Sequence, residues 1–212
     1  MNSEKIVKSL DGILFWITRL TLLNLLWFYY SIRGLIVAGV FPSTAAALGV
    51  AKKWIQGERD RRIGEVFKRL YKREFMAANK LGWLLTFIGA VLYVNYQLIV
   101  NAPGQLSFIV PFSFYTIVFF YSLVVLWSFP MLISYQAKTF QYVKNSVVVG
   151  LTKLHISAAV LVFLFTITYH SLGLPVLLLF FYISVSVLGW MWLTMKVFRQ
   201  IPVKEEKEVY AS

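Results

Sequence analysis

The sequence predicts an all-α fold, a multi-pass transmembrane helical bundle with five full spans plus a shorter helix after a proline break. Three observations carry that prediction. Of 212 residues, 59% are hydrophobic and only 14% charged, with a mean hydropathy of +0.70. A soluble domain is about one quarter charged, and a chain this small lacks the interior volume to hide so much apolar surface from water. The charges are also segregated. All acidic residues fall within 4–11, 58–74 or 205–208, so that 75–204 contains no Asp or Glu. A charge at the bilayer centre costs at least ~3 kcal/mol. Finally, the apolar residues come in blocks close to the ~20 residues that cross a ~30 Å hydrocarbon core.

The whole chain, 1–212, reads as a single membrane domain. Residues 13–50 form the first apolar block, interrupted only by Arg19 and Arg33. As one helix it would be ~57 Å long at 1.5 Å per residue, so it must bend. Pro42 is the expected place, because proline begins a helix more readily than it sits inside one. Ser43 and Thr44 are placed to serve backbone groups freed there. The expected helices are 12–33 and 42–56, the second short and either re-entrant or crossing. Residues 51–80 are hydrophilic, with ten Lys/Arg and four acids. Within them, Ile63, Val66, Phe67, Leu70, Tyr71, Phe75 and Ala78 recur at helical spacing, predicting a cytoplasmic amphipathic helix over 63–79. Four spans follow: 81–100, closed by the turn Asn101-Ala102-Pro103-Gly104; 106–133; 154–169; and 174–195. A charged tail, 196–212, ends the chain.

Lys and Arg give the orientation. Loop 51–80, segment 135–153 and the tail are basic, whereas 101–105 and 170–173 carry no Lys or Arg. Basic loops face the cytoplasm, which puts loop 51–80 and the C-terminus inside. Lys5, Lys8 and Arg19 favour a cytoplasmic N-terminus if helix 42–56 crosses; if it only lies in the inner interface, the N-terminus is outside. The first apolar run does not read as a cleaved signal peptide, being too long and interrupted by Arg19.

The chemistry is sparse. With no cysteine, disulfides, thiolate metal sites and cysteine nucleophiles are excluded. No catalytic constellation, cofactor motif or metal-ligand pattern is found, and the chain reads as a non-enzyme. His155 and His170 fall at span ends on opposite sides of the expected bundle. The net charge of +12 reads as basic loops facing the anionic lipids of the cytoplasmic leaflet, not as a nucleic-acid surface. Arg33, at the helix break, either binds an anion or partner or snorkels to the interface; Arg19 has the same two readings. Asn24, Asn95 and Gln97 lie within spans, where such groups hydrogen-bond between helices for ~0.6 kcal/mol.

One stretch is more distinctive. Asn24-Leu25-Leu26-Trp27 precedes Gly39-Val40-Phe41-Pro42-Ser43-Thr44-Ala45-Ala46-Ala47-Leu48. Lys53-Trp54, Gly57, Phe67, Tyr71-Lys72, Phe75 and Asn79 follow, ahead of Gly82. Over residues 10–85 this resembles the YesL-like family of bacterial integral membrane proteins, domain of unknown function 624. Its motif residues here are Trp27, Gly39, Phe41, Ala45, Ala46, Trp54, Phe67, Phe75 and Asn79. Ser43 stands where alanine is usual. The resemblance implies a multi-pass protein of the bacterial plasma membrane. It also implies a setting near carbohydrate ABC transporters and sensor kinases, so that transporter subunits or a kinase become the expected partners. It brings no catalytic residue. The function expected is therefore a non-enzymatic accessory or regulatory component near a carbohydrate uptake system. The alternative is a small oligomeric transporter or channel, which the helix break favours. Asn24, Arg33, Pro42, Ser43 and Thr44 are the candidate functional or structural residues of that break.

The absence of native cysteines makes the orientation directly testable. A cysteine at Ser107 or Ser171 should react with an impermeant thiol reagent added to intact cells, and one at Gln56 should not. Reaction of Gln56→Cys in sealed cells would invert the topology, and reaction at Ser3→Cys would leave five crossings.

Overall fold

The computed structural model describes residues 3–58, 62–102 and 107–200. These form eight helices and no strand: α1 Ser3–Arg33, α2 Val40–Ile55, α3 Ile63–Val100, α4 Ile109–Ser134, α5 Thr139–Thr152, α6 Leu154–Gly173, α7 Pro175–Phe180 and α8 Tyr182–Phe198. Four are long and apolar enough to cross a membrane: Leu10–Arg33 within α1, then α3, α4 and α6. Helix α8 is apolar but shorter. Along the outer lengths of α3, α4 and α6, Phe87, Tyr93, Leu98, Phe112, Ile117, Val162 and Phe165 stand exposed. Apolar exposure on this scale is what a bilayer covers.

Helix α2 is the hub. Its run Ala45-Ala46-Ala47-Leu48-Gly49-Val50-Ala51 is apolar on every side, and such a helix must be surrounded. Twelve of its 16 residues are buried, packed against α1, α3, α4 and α8. Small side chains let neighbours come close. At Gly49 an added Cβ would lie 2.8 Å from Leu70 of α3.

The structure moves the first bend. Between α1 and α2 the chain turns through Gly34–Gly39, not at Pro42. Pro42 is the third residue of α2, inside the first turn, where an N–H has no intrahelical partner and its loss costs little. The reversal needs glycine on both sides. A Cβ on Gly39 would lie 2.2 Å from the Ser31 carbonyl oxygen, and one on Gly34 would lie 2.4 Å from the Gly39 Cα. Leu35 and Ile36 between them are left-handed, at φ 57° and 60°, a conformation costing roughly 1–2 kcal/mol per residue.

Three other expectations change. The amphipathic stretch 63–79 and the span 81–100 are one unbroken helix of 38 residues, α3. Its first half lays its apolar face on α2 and so is sealed by the bundle. Segment 135–153, expected as a loop, contains α5, which folds back along α4. The Tyr142 hydroxyl donates to the Tyr135 carbonyl and accepts from the Ala137 N–H, both at 3.0 Å, clamping the reversal. The last span, 174–195, is divided at Phe181 into α7 and α8, and α8 continues to Phe198. The expected turn at Pro103-Gly104, the start of a span at 106 and the tail from 201 lie outside the described residues. Ser171 is only 4% exposed, which makes exposed Ser107 the better position for outside labelling.

The two ends of the glycine scale separate cleanly. Gly39→Ala forces a methyl into a backbone carbonyl and should abolish accumulation of folded protein. Gly64→Ala meets nothing within 4 Å and should stabilise α3 by ~0.4–1 kcal/mol. Thermal melting in detergent and protein level distinguish them.

Candidate functional site

The reversal between α1 and α2 gathers most of the residues singled out in the sequence. From α3, the Asn79 side-chain amide donates to the Ala38 carbonyl at 3.1 Å and to Phe75 at 2.9 Å. The Tyr71 hydroxyl donates to the Tyr30 carbonyl at 3.4 Å. These bonds hold the turn from outside: Pro42 has no N–H to offer the Ala38 carbonyl, whereas the Tyr30 carbonyl already accepts from the Gly34 N–H at 3.1 Å. Phe41 lies over Gly82, where a Cβ would be 2.2 Å from the ring. It also meets Trp83 and Phe129, at centroid distances of 5.8 and 6.3 Å. The Trp27 indole donates to Thr44 Oγ1 at 3.1 Å, and Thr44 in turn donates to the Val40 carbonyl at 2.9 Å. Phe67 packs on Tyr30, and Phe75 on Tyr71. Trp27, Gly39, Phe41, Thr44, Phe67, Phe75 and Asn79 thus form one junction. Ala45 and Ala46 line the buried stem of α2 beneath it. Ser43 is fully buried, and its hydroxyl meets no hydrogen-bond partner among the described residues. Alanine would be accommodated there without loss.

Although its charge acts on the Tyr71 hydroxyl, Arg33 makes no hydrogen bond within this junction. It is exposed and only approaches the Tyr29 hydroxyl, at 3.5 Å. Arg19 is the buried arginine, stacked over Phe15 at 4.2 Å and near Trp54 at 5.8 Å. Trp54 stands at the far end of α2, edge-on to Trp16 at 5.7 Å.

Asn24 belongs to a second place, the interruption between α7 and α8. At Phe181 the backbone leaves helical geometry, with φ −131° and ψ −23°, freeing carbonyls and amides in apolar surroundings. The Asn24 amide donates to the Leu179 carbonyl, and its oxygen accepts from the Ile183 N–H at 2.8 Å and the Ser184 N–H at 3.4 Å. Ser184 Oγ donates to the Phe181 carbonyl at 2.9 Å. A fully buried asparagine is suited to this task, since its amide offers donors and an acceptor together. Asn95 and Gln97 behave differently: they bond within α3, to Val91 and Tyr93 respectively.

A third group escaped the sequence reading. Lys52, Lys53 and Glu74 are 2%, 5% and 3% exposed. Lys53 pairs with Glu58 at 2.9 Å, and Glu74 with Arg73 at 2.8 Å. Burial of such charges is tolerated only with compensating partners. One signal was available for Glu74: four residues after Leu70 and three after Tyr71, it lies on the inward face of α3. Lys53 stands beside Trp54 in the family resemblance, and both lysines fall in the expected helix 42–56, but nothing in the sequence marks either as buried. Close by, burial pushes the Tyr142 phenol above its usual range, the Ala137 amide opposes that shift, and the Glu74 charge adds to it. Among the described residues no three His, Asp or Glu side chains gather as metal ligands.

With this geometry in hand, the relatives can be placed. A family model described as "Protein of unknown function, DUF624" matches residues 20–96. That match takes in α2, the reversal, Asn24 and all but the last turn of α3. Uncharacterized protein YteU of Bacillus subtilis is 32% identical over 175 residues, covering 82% of this chain and 78% of the relative. Uncharacterized protein YesL of the same organism is 28% identical over 209 residues, covering 97% of each. No solved structure matches the chain.

Removing the Asn24 amide should expose the cost of the α7–α8 interruption. Asn24→Leu keeps the branched shape and strands the Leu179 carbonyl and the Ile183 and Ser184 amides, each worth ~1–3 kcal/mol when buried unpaired. Its melting temperature in detergent should fall by several degrees, while Asn95→Leu, on the exposed face of α3, should leave it unchanged.

Proposed function

We propose that this chain, which belongs to the DUF624 family, is a non-enzymatic accessory or regulatory component of the bacterial plasma membrane, acting near a carbohydrate uptake system. The observation that carries this reading is the first half of α3. Its inward face is packed on α2, leaving Lys68, Arg69, Lys72, Arg73 and Lys80 together on the exposed side. A rigid helix with one face anchored and the other basic is suited to docking an acidic protein surface or an anionic leaflet. The positive-inside rule assigns that face, and the C-terminus, to the cytoplasm. Helix α1 runs antiparallel to α7–α8: Asn24 meets Leu179 and Ile183, and Trp16 lies beside Leu188 and Trp192. This supports an N-terminus on the same side as the C-terminus. The polar groups at the reversal and at the α7–α8 interruption bind backbone, which favours a structural over a catalytic use. The link to carbohydrate uptake, through transporter subunits or a sensor kinase, rests on the family resemblance.

A small oligomeric transporter or channel is the second reading, favoured by the interrupted α7–α8 helix, since discontinuous helices build substrate sites in transporters. Saturation of that interruption by Asn24 weighs against it.

The two readings separate by experiment. Full-length tagged protein, extracted in mild detergent, should bring down subunits of a solute-uptake complex identified by mass spectrometry. Arg69→Glu/Lys72→Glu, on an exposed face, should keep the protein level and lose at least tenfold of that capture. Unchanged capture by the double variant, or solute flux in liposomes containing this protein alone, would overturn the accessory role.

A further inference from the structure

A cleft of about 460 Å³ opens between α1, α2, α6 and α8. That volume lies in the range of small-ligand sites. Trp16, Trp54 and Trp192 form its walls, with Phe163 and Leu188. The Phe163 ring rests on Gly189, where a Cβ would lie 2.2 Å away, so the ring is held in place. All the lining side chains are apolar apart from the indole N–H groups. A sugar or a free anion therefore finds few partners inside, whereas a hydrocarbon chain finds apolar and aromatic side chains.

The rim is different. Lys196, exposed on the last turn of α8, holds its ammonium 3.4 Å from the Trp192 ring centroid. Contact with one ring face leaves ammonium donors free for another partner. Arg199 is exposed one turn further on. Lys153 reaches the same end, donating to Gln200 at 3.0 Å. Neither Lys196 nor Arg199 forms an ion pair with a carboxylate among the described residues. Tryptophan with a basic residue marks the boundary between hydrocarbon and water, and Val162 and Phe165 leave α6 exposed to lipid alongside.

We propose that this cleft is a binding site for an anionic phospholipid, with one acyl chain among Trp16, Trp54 and Trp192 and the phosphate at Lys196. The chemistry of the two parts requires an amphiphile: an apolar slot too dry for a phosphate, and a cationic rim with nothing apolar to hold. The site depends on residence in a membrane but not on the accessory role proposed above, so either can fail alone.

The test uses full-length protein delipidated in detergent and offered equal phosphatidylglycerol and phosphatidylcholine, with retained lipid counted by native mass spectrometry. Wild type should keep one phosphatidylglycerol in preference to phosphatidylcholine. Lys196→Gln should reduce that preference about fivefold, the contribution of one basic residue at an anionic surface. Leu188→Trp, which fills the cleft, should lose both lipids. Lys144→Gln, an exposed α5 lysine outside the cleft, should behave as wild type. Equal retention of the two lipids by wild type, or an unchanged preference in Lys196→Gln, would overturn the site. So would displacement of the lipid by millimolar inorganic phosphate, or a Leu188→Trp effect on dimer mass instead of lipid. Should Leu188→Trp melt early, the Lys196→Gln comparison alone decides.

Discussion

Everything else in the structure depends on how closely the start of α2 crosses the end of α1. At Gly39 the helix passes against the Ser31 carbonyl with no room for a β-carbon. That approach lets a short helix of small residues enter the middle of the bundle, where α1, α3, α4 and α8 close around it. The strain at Leu35 and Ile36 is tolerable because the neighbours over-determine the turn: Asn79 and Tyr71 clasp its two sides from α3. Loosening the crossing would separate α2 from α3 and, with it, the basic face from the bundle.

A second constraint follows from the solvent. In hydrocarbon a backbone group without a partner has no water to turn to, so each departure from regular helix needs a side chain assigned to it. Asn24 serves the α7–α8 interruption and Asn79 the α1–α2 turn; at the α4–α5 reversal, beside exposed Lys138, Tyr142 plays the same part. These polar residues are remote in sequence from, or just beyond, the groups they serve. Their distribution records where the helices deviate.

Much of this was legible in the sequence, and the reason is the bilayer. It demands long apolar runs free of acid, so the helical class and the outer lengths of α3, α4 and α6 could be read directly. The bend could be read as necessary from the length of 13–50, but its position could not. Pro42 is a strong local signal, whereas the need for glycine at 34 and 39 arises from a crossing that only the folded chain contains. Likewise nothing in 135–153 announces α5, a helix whose apolar side is defined by α4. The junction residues Trp27, Phe41 and Asn79 were found through a family resemblance and Thr44 through the expected break at Pro42, and their chemistry emerged only from the contacts. Arg33 and Arg19 illustrate the limit: two arginines in one apolar block, alike in sequence, one at the surface and one stacked between rings.

Helix α3 has a mechanical consequence. Its first half is held to α2 through Leu70 and Gly82 and to the end of α1 and the turn through Tyr71 and Asn79, and its second half runs on to Val100 with no proline and no break. Beyond Gly82 about 27 Å of helix extends at 1.5 Å per residue. The element is therefore a lever with its fulcrum at the Phe41–Gly82 contact. A tilt of about 10° there swings the far end by ~5 Å along that length. Force applied at the basic end is delivered on the opposite side of the bundle without an intervening joint.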